Sequence, residues 1–166
     1  MRKIIDQISE KLNLVAALAA CILLAAILLC CAMQVFCRYV LNSSLYWSEE
    51  AARYLFVWCS MLGLSVAVKN GSNASIDVIS GRLKGKVRCI QRMVVDLVII
   101  AICILLLYYG IKILPTMART VSAALLIPNN YLYASVPVSS VIIIIHCLAN
   151  LFDSAAVMKH GGEEGE

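Results

Sequence analysis

Between residues 34 and 53 the chain reads QVFCRYVLNSSLYWSEEAAR, setting Gln34, Arg38, Glu49, Glu50, Arg53, Trp47, Tyr39 and Tyr46 between two apolar runs. Ionisable groups at the edge of a membrane are costly to place, so this stretch is the first candidate for chemistry. Gln34 and Arg38 lie four residues apart and share a helix face, as do Glu49 and Arg53 on the next helix. The short link between them, which contains Asn42, brings the two helix ends together. Arg38 is thereby placed to meet Glu49 or Glu50. One reading is a clasp that fixes a helical hairpin at the interface. The other is a docking surface for a partner. Interfacial ion pairs are usually architectural, which on spacing alone favours the clasp.

Other groups that could do chemistry are few. Asp96 is the deepest carboxylate in an apolar run, but it sits about one turn inside a basic boundary, and Arg92 four residues earlier is its expected partner. A haem bundle would need facing histidines. Only His146 and His160 occur, and His146 is expected to be a buried or snorkelling polar group. The eight cysteines form no Cys-x-x-Cys pair; most fall in apolar runs, where Cys behaves as a small hydrophobe. No phosphate-binding glycine loop or zinc motif is present. No catalytic, substrate-binding or metal-ligating residues are assigned, and the chain is not expected to be an enzyme or to hold a cofactor.

The elements that must position these groups are apolar helices. Of 166 residues, 62% are hydrophobic and 14% charged, far from the composition of a soluble domain. The expected fold class is an all-α integral membrane protein with four transmembrane helices and short interfacial amphipathic helices. Residues 1–11 are expected to form a cytoplasmic interfacial segment, with Ile4, Ile5, Ile8 and Leu12 at helical spacing. A membrane domain over 12–152 follows, with spans at about 12–37, 48–68, 93–114 and 131–152. Leu18-Ala19-Ala20-Cys21 imitates a lipoprotein cleavage site, but the chain stays apolar to Phe36, so an uncleaved first span is expected.

Ser48 is the expected N-cap of the second span, with Glu49 and Glu50 in its first turn. Ile76, Ile79, Leu83, Val87 and Ile90 alternate with Arg82, Lys84, Lys86, Arg88 and Arg92, a basic amphipathic pattern suited to anionic membrane lipids. Small residues suited to close helix packing occur at Ala16, Ala17, Ala19, Ala20, Ala25, Ala26, Gly63, Ser65 and Ala67. Pro137 is expected to kink the fourth span. Residues 153–166 read as a polar cytoplasmic tail, ending in GGEEGE.

The formal net charge of +4 lies in the gaps between spans and points to no nucleic acid. Four basic residues, Arg38, Arg53, Lys112 and Arg119, fall on one side and the other ten on the opposite side, which predicts both termini cytoplasmic.

These residues resemble a known family. Gln34-x-x-x-Arg38-Tyr39-x-x-Asn42-Ser43 followed by Trp47-x-Glu49-Glu50-x-x-Arg53-Tyr54-x-Phe56-x-Trp58 is similar to the signature of the small membrane subunit of tripartite ATP-independent periplasmic (TRAP) transporters. Ile76-Asp77-Val78 and Ile127-Pro128-x-x-Tyr131-x-Tyr133-x-x-x-Pro137 agree with it, and the similarity extends from about residue 5 to 152. Asn73 and Tyr131 depart from the family, where His and Trp are common.

The resemblance implies a multi-pass subunit of the bacterial cytoplasmic (inner) membrane that does no chemistry itself. It implies partnership with a large multispanning permease subunit that holds the substrate and sodium ions, and with a periplasmic substrate-binding protein that delivers an organic acid, often a carboxylate. The small subunit would then widen the scaffold against which the transport domain moves. A self-contained four-helix transporter or channel is the alternative.

Overall fold

The computed structural model describes residues 2–43, 45–70 and 86–160, with side chains over 7–43, 45–70 and 90–152. In chain order the elements are α1 (Arg2–Tyr39), α2 (Tyr46–Lys69), α3 (Lys86–Met117), the short α4 (Asn130–Tyr133) and α5 (Ser135–His160). Four segments are long and apolar enough to cross a membrane: Gln7–Tyr39, Tyr46–Lys69, Ile90–Met117 and Asn130–Phe152. An isolated polar backbone cannot survive in lipid, and helices satisfy it internally, which is why these apolar runs fold this way.

α1 is 38 residues long without a break, so residues 2–11 are continuous with the first span. Its end is set by Asn42, which adopts a left-handed conformation (φ 49°). There the Ser43 N–H reaches back to the Cys37 carbonyl at 3.1 Å. Asn is among the few residues that take this conformation at low cost.

α2 begins two residues before the expected start. Leu45 is its N-cap and provides no side-chain bond, so Ser48 is not the cap. Ser48 lies in the first turn, fully buried, and donates to the Leu45 carbonyl at 2.8 Å. Residues 76–85, most of the basic amphipathic segment, lie outside the described residues, as do Asn73 and the terminal GGEEGE. Lys86 to Arg92 are already part of α3, and α5 carries the helix through His160.

The helix of the fourth span is interrupted at Ala134, between α4 and α5. Pro137 is the cause expected from its chemistry: it has no N–H to give the Tyr133 carbonyl, and its ring crowds that carbonyl. The interruption therefore falls three residues upstream of the proline's own position.

α5 is the central helix. It packs on α3, α2 and α1, while α1 and α2 pair with each other. Its buried face carries Ser135, Ser139, Ser140, His146, Cys147 and Ala149. The three serines bond back to the carbonyls of Leu132, Ser135 and Val136. Small side chains with internally satisfied hydroxyls let helices approach closely in lipid.

One close approach lies at a residue not among the small residues read from sequence. A Cβ on Gly110 of α3 would stand 3.2 Å from Pro137 Cδ, whereas one on Gly63 would meet nothing within 4 Å. Ala16 is buried, and Cys59 of α2 lies 3.5 Å from the Ala20 carbonyl of α1.

At the end of the bundle that holds the termini, Ser9 of α1 and His146 of α5 are both fully buried, and their Oγ and Nδ1 atoms are 2.8 Å apart. Nearby, Asn150 donates to the Val68 carbonyl at 3.4 Å, tying α5 to the last turn of α2. Asp96 is buried, and its expected pairing with Arg92 is not formed: among the described residues no ion pair joins them. A cation one turn before a carboxylate is the weaker orientation for such a pair, and Arg92 is exposed toward the boundary.

Candidate functional site

At the other end of the bundle, α2 presents Glu50, Tyr54 and Trp58 at steps of four residues, one above another on a single face. Each makes a hydrogen bond to the segment that joins α3 to α5. One Glu50 carboxylate oxygen accepts the backbone N–H groups of Ala124 at 2.8 Å and Leu125 at 3.1 Å. The Tyr54 hydroxyl donates to Asn129 Oδ1 at 2.6 Å. The Trp58 indole N–H donates to the Tyr131 carbonyl at 3.0 Å. The four bonds, made by three side chains, fix successive points of the segment along about 12 Å of α2.

The segment is itself folded to receive them. Val121 and Pro128 form an antiparallel bridge, and the Ser122 N–H bonds the Ile127 carbonyl at 2.9 Å. Leu126 takes a left-handed conformation (φ 54°) between them. Asn129 donates from its amide side chain to Thr120 Oγ1 at 3.1 Å and from its backbone to the Thr120 carbonyl at 2.9 Å. The same Asn129 side chain thus accepts from Tyr54 and donates to Thr120, which fixes its orientation. A turn this tight leaves the N–H groups of Ala124 and Leu125 with no carbonyl in reach. A carboxylate is a strong acceptor for them.

The sequence-predicted residues are distributed differently from the expected clasp. Arg38 meets neither Glu49 nor Glu50. Its guanidinium lies 5.9 Å from the centre of the Tyr39 ring, and Tyr39 is exposed. The ion pair formed here is Glu49 with Arg53, one turn apart at 3.6 Å and exposed on both sides, a geometry worth little. Glu50 is instead held by the α3–α4 segment. The physical reason is an asymmetry of need: an exposed guanidinium loses little without a carboxylate, whereas loop N–H groups at a membrane boundary must find an acceptor. Gln34 is half-buried on α1, Asn42 makes the turn, and Trp47 is partly exposed.

Tyr54, Trp58, Thr120 and Asn129 had no assigned role in the sequence. The spacing Glu50-x-x-x-Tyr54-x-x-x-Trp58 is the signal that groups the first two, since it places them on one face. The Trp58 partner and both Glu50 partners are backbone atoms, which leave no trace in residue types.

This arrangement is a latch. Its groups are donors and acceptors already satisfied by one another. Among the described residues, no group of three or more His, Cys, Asp or Glu is placed to hold a metal ion. Replacing Tyr54 with Phe removes one bond and leaves the ring. Loss of about 0.5–1.5 kcal/mol is expected, read as a lowered midpoint in detergent unfolding, with helix content unchanged.

The fold and the latch together define a four-span helical membrane protein whose polar groups join its own helices and loops. Residues 27–157 match the family of tripartite ATP-independent periplasmic transporters, DctQ component; the chain belongs to that family and is a TRAP transporter small permease subunit.

Among its relatives is the sialic acid TRAP transporter small permease protein SiaQ of Vibrio cholerae, 27% identical over 92% of this chain and 84% of that one. The sialic acid TRAP transporter permease protein SiaT of Haemophilus influenzae is 31% identical over 66% of this chain. The isethionate TRAP transporter permease protein DctMQ of Oleidesulfovibrio alaskensis is 33% identical over 63%. The chain matches only 18% and 17% of the length of these last two.

Proposed function

We propose that this subunit is the non-catalytic scaffold of a sodium-driven TRAP transporter that takes up organic acids. It partners a large multispanning permease, which carries the substrate and the sodium ions, and a periplasmic binding protein delivers the substrate. The observation that carries this reading is the latch. A bundle that fixes its longest described loop to α2 at three successive turns suits a body that holds still while a neighbour moves. The exposed apolar residues of α1 and α3, among them Leu18, Ile22, Leu28, Leu97, Ile104 and Leu105, leave broad faces for lipid and for the permease.

Two relatives support the substrate class, since sialic acid and isethionate in their names are both organic anions. Isethionate is a sulfonate, so the class is wider than carboxylates. The basic residues gathered at the end that holds the termini support an inner-membrane orientation with both termini cytoplasmic and the latch outside.

Deleting this subunit while retaining the permease and the binding protein is the test. Sodium-dependent uptake of the binding protein's ligand should fall to background and return on re-expression. Full uptake without the subunit, or flux through liposomes containing this chain alone, would overturn the proposal.

A further inference from the structure

We propose that a single water molecule is bound inside the bundle between His146 of α5 and Asn13 of α1. Three observations converge there. His146 is fully buried, with Nδ1 2.8 Å from the equally buried Ser9 Oγ. His146 Nε2 is enclosed and has no hydrogen-bond partner among the described protein groups, and Asn13 Oδ1 is in the same condition. Asn13 follows Ser9 by one turn, so both side chains project from the same face of α1.

The chemistry of the two orphans is complementary. A neutral imidazole donates through one nitrogen and accepts through the other. Asn13 Oδ1 is an acceptor; the imidazole tautomer that complements it carries its proton on Nε2 and accepts the Ser9 hydroxyl at Nδ1. The bonds made by the two ring nitrogens diverge, each reaching about 3 Å from the ring. Asn13 stands one turn, about 6 Å, along α1 from Ser9. With Ser9 bound at one nitrogen, Asn13 is the next polar side chain on the face of α1 that meets the ring.

A water can accept from Nε2–H and donate to Oδ1, satisfying both groups. Buried waters occur where otherwise unsatisfied polar atoms face one another. Leaving both unmade would be costly. The position lies near the basic end of the bundle, within reach of the aqueous boundary during folding. Such a water would join α1 to α5 at the end opposite the Glu50 latch.

The test uses the assembled transporter in lipid nanodiscs. A map that resolves other buried waters should show density within about 3.2 Å of both Nε2 and Oδ1. Direct Nε2–Oδ1 contact, a reversed Asn13 amide donating to Nε2, or no density would each overturn the proposal.

Hydroxyl-radical footprinting, in which irradiated bound water labels its neighbours, gives an independent readout. His146 and Cys147, both fully buried, should be labelled several-fold faster than buried Cys103. Asn13→Leu should bring them to the Cys103 level. Unchanged labelling in that variant would also overturn the proposal. The map of the native sequence keeps the test decisive should Asn13→Leu fail to fold.

Discussion

Replacing Glu50 with alanine is expected to cut transport by the assembled TRAP transporter on the order of tenfold or more, with all four spans still inserted. The carboxylate is the acceptor for the Ala124 and Leu125 N–H groups, at 2.8 and 3.1 Å. Alanine leaves both donors without a partner at the tip of a turn that cannot offer them a carbonyl. The Leu125 N–H keeps only a longer bond to Ser122 Oγ, 3.3 Å. The Tyr54 and Trp58 bonds lie further along the same segment and lose their register as the tip moves. Amide hydrogen exchange at Ala124 and Leu125 should accelerate, while exchange in α5 stays slow. Glu50→Gln retains one carbonyl oxygen and should fall between the two. Arg38→Ala is the contrasting variant. Arg38 touches Tyr39 and no carboxylate, so exchange at Ala124 and Leu125 should be unchanged. If Arg38→Ala deprotects those amides as strongly as Glu50→Ala does, the latch is wrong and an Arg38–Glu50 clasp is restored.

Gly110→Leu should be the most destabilising single change in the contact between α3 and α5. A Cβ at this position stands 3.2 Å from Pro137 Cδ and 3.6 Å from its nitrogen. The proline ring is rigid and belongs to the backbone, so it cannot turn aside as a flexible side chain would. A leucine must push the helices apart, at a cost of about 1–3 kcal/mol or more. Gly110→Ala is expected to be close to neutral. The gain of about 1 kcal/mol from replacing a helical glycine offsets a displacement of a few tenths of an ångström. Unfolding of the purified subunit in detergent, followed by circular dichroism, separates the two. Equal midpoints for the alanine and leucine variants would show that the helices do not approach as closely as described.

Much of the architecture was legible because lipid imposes a simple rule. Runs of about 20 apolar residues must be helices, so four such runs give four spans. The run ending near Cys37 and the one beginning near Ser48 also announced a tight hairpin. The site was legible only in part. Glu50 stood out through its charge and position. Its partner did not, because the partner is a pair of N–H groups 74 and 75 residues further along the chain, and every residue but proline has an N–H. Nearness in sequence pointed to Arg38 and was misleading. The hairpin turn places the two helix ends side by side, but it does not direct an exposed guanidinium toward a carboxylate that has better donors. Gly110 and Pro137 were unreadable for a related reason. Each is intelligible alone, as a helix glycine and a helix proline, and only packing shows that one makes room for the other.

The central place of α5 bears on how the protein is made. Membrane proteins leave the ribosome segment by segment, and α5 is the last of the four spans to emerge. α1 and α2 can pair as soon as both are inserted. α3 has no such opportunity, because the helix it packs against is α5. Between the release of α3 and the arrival of α5, Asp96 has no helical cover and faces lipid or the insertion machinery. Insertion of α5 is therefore the step that ends this exposure of Asp96.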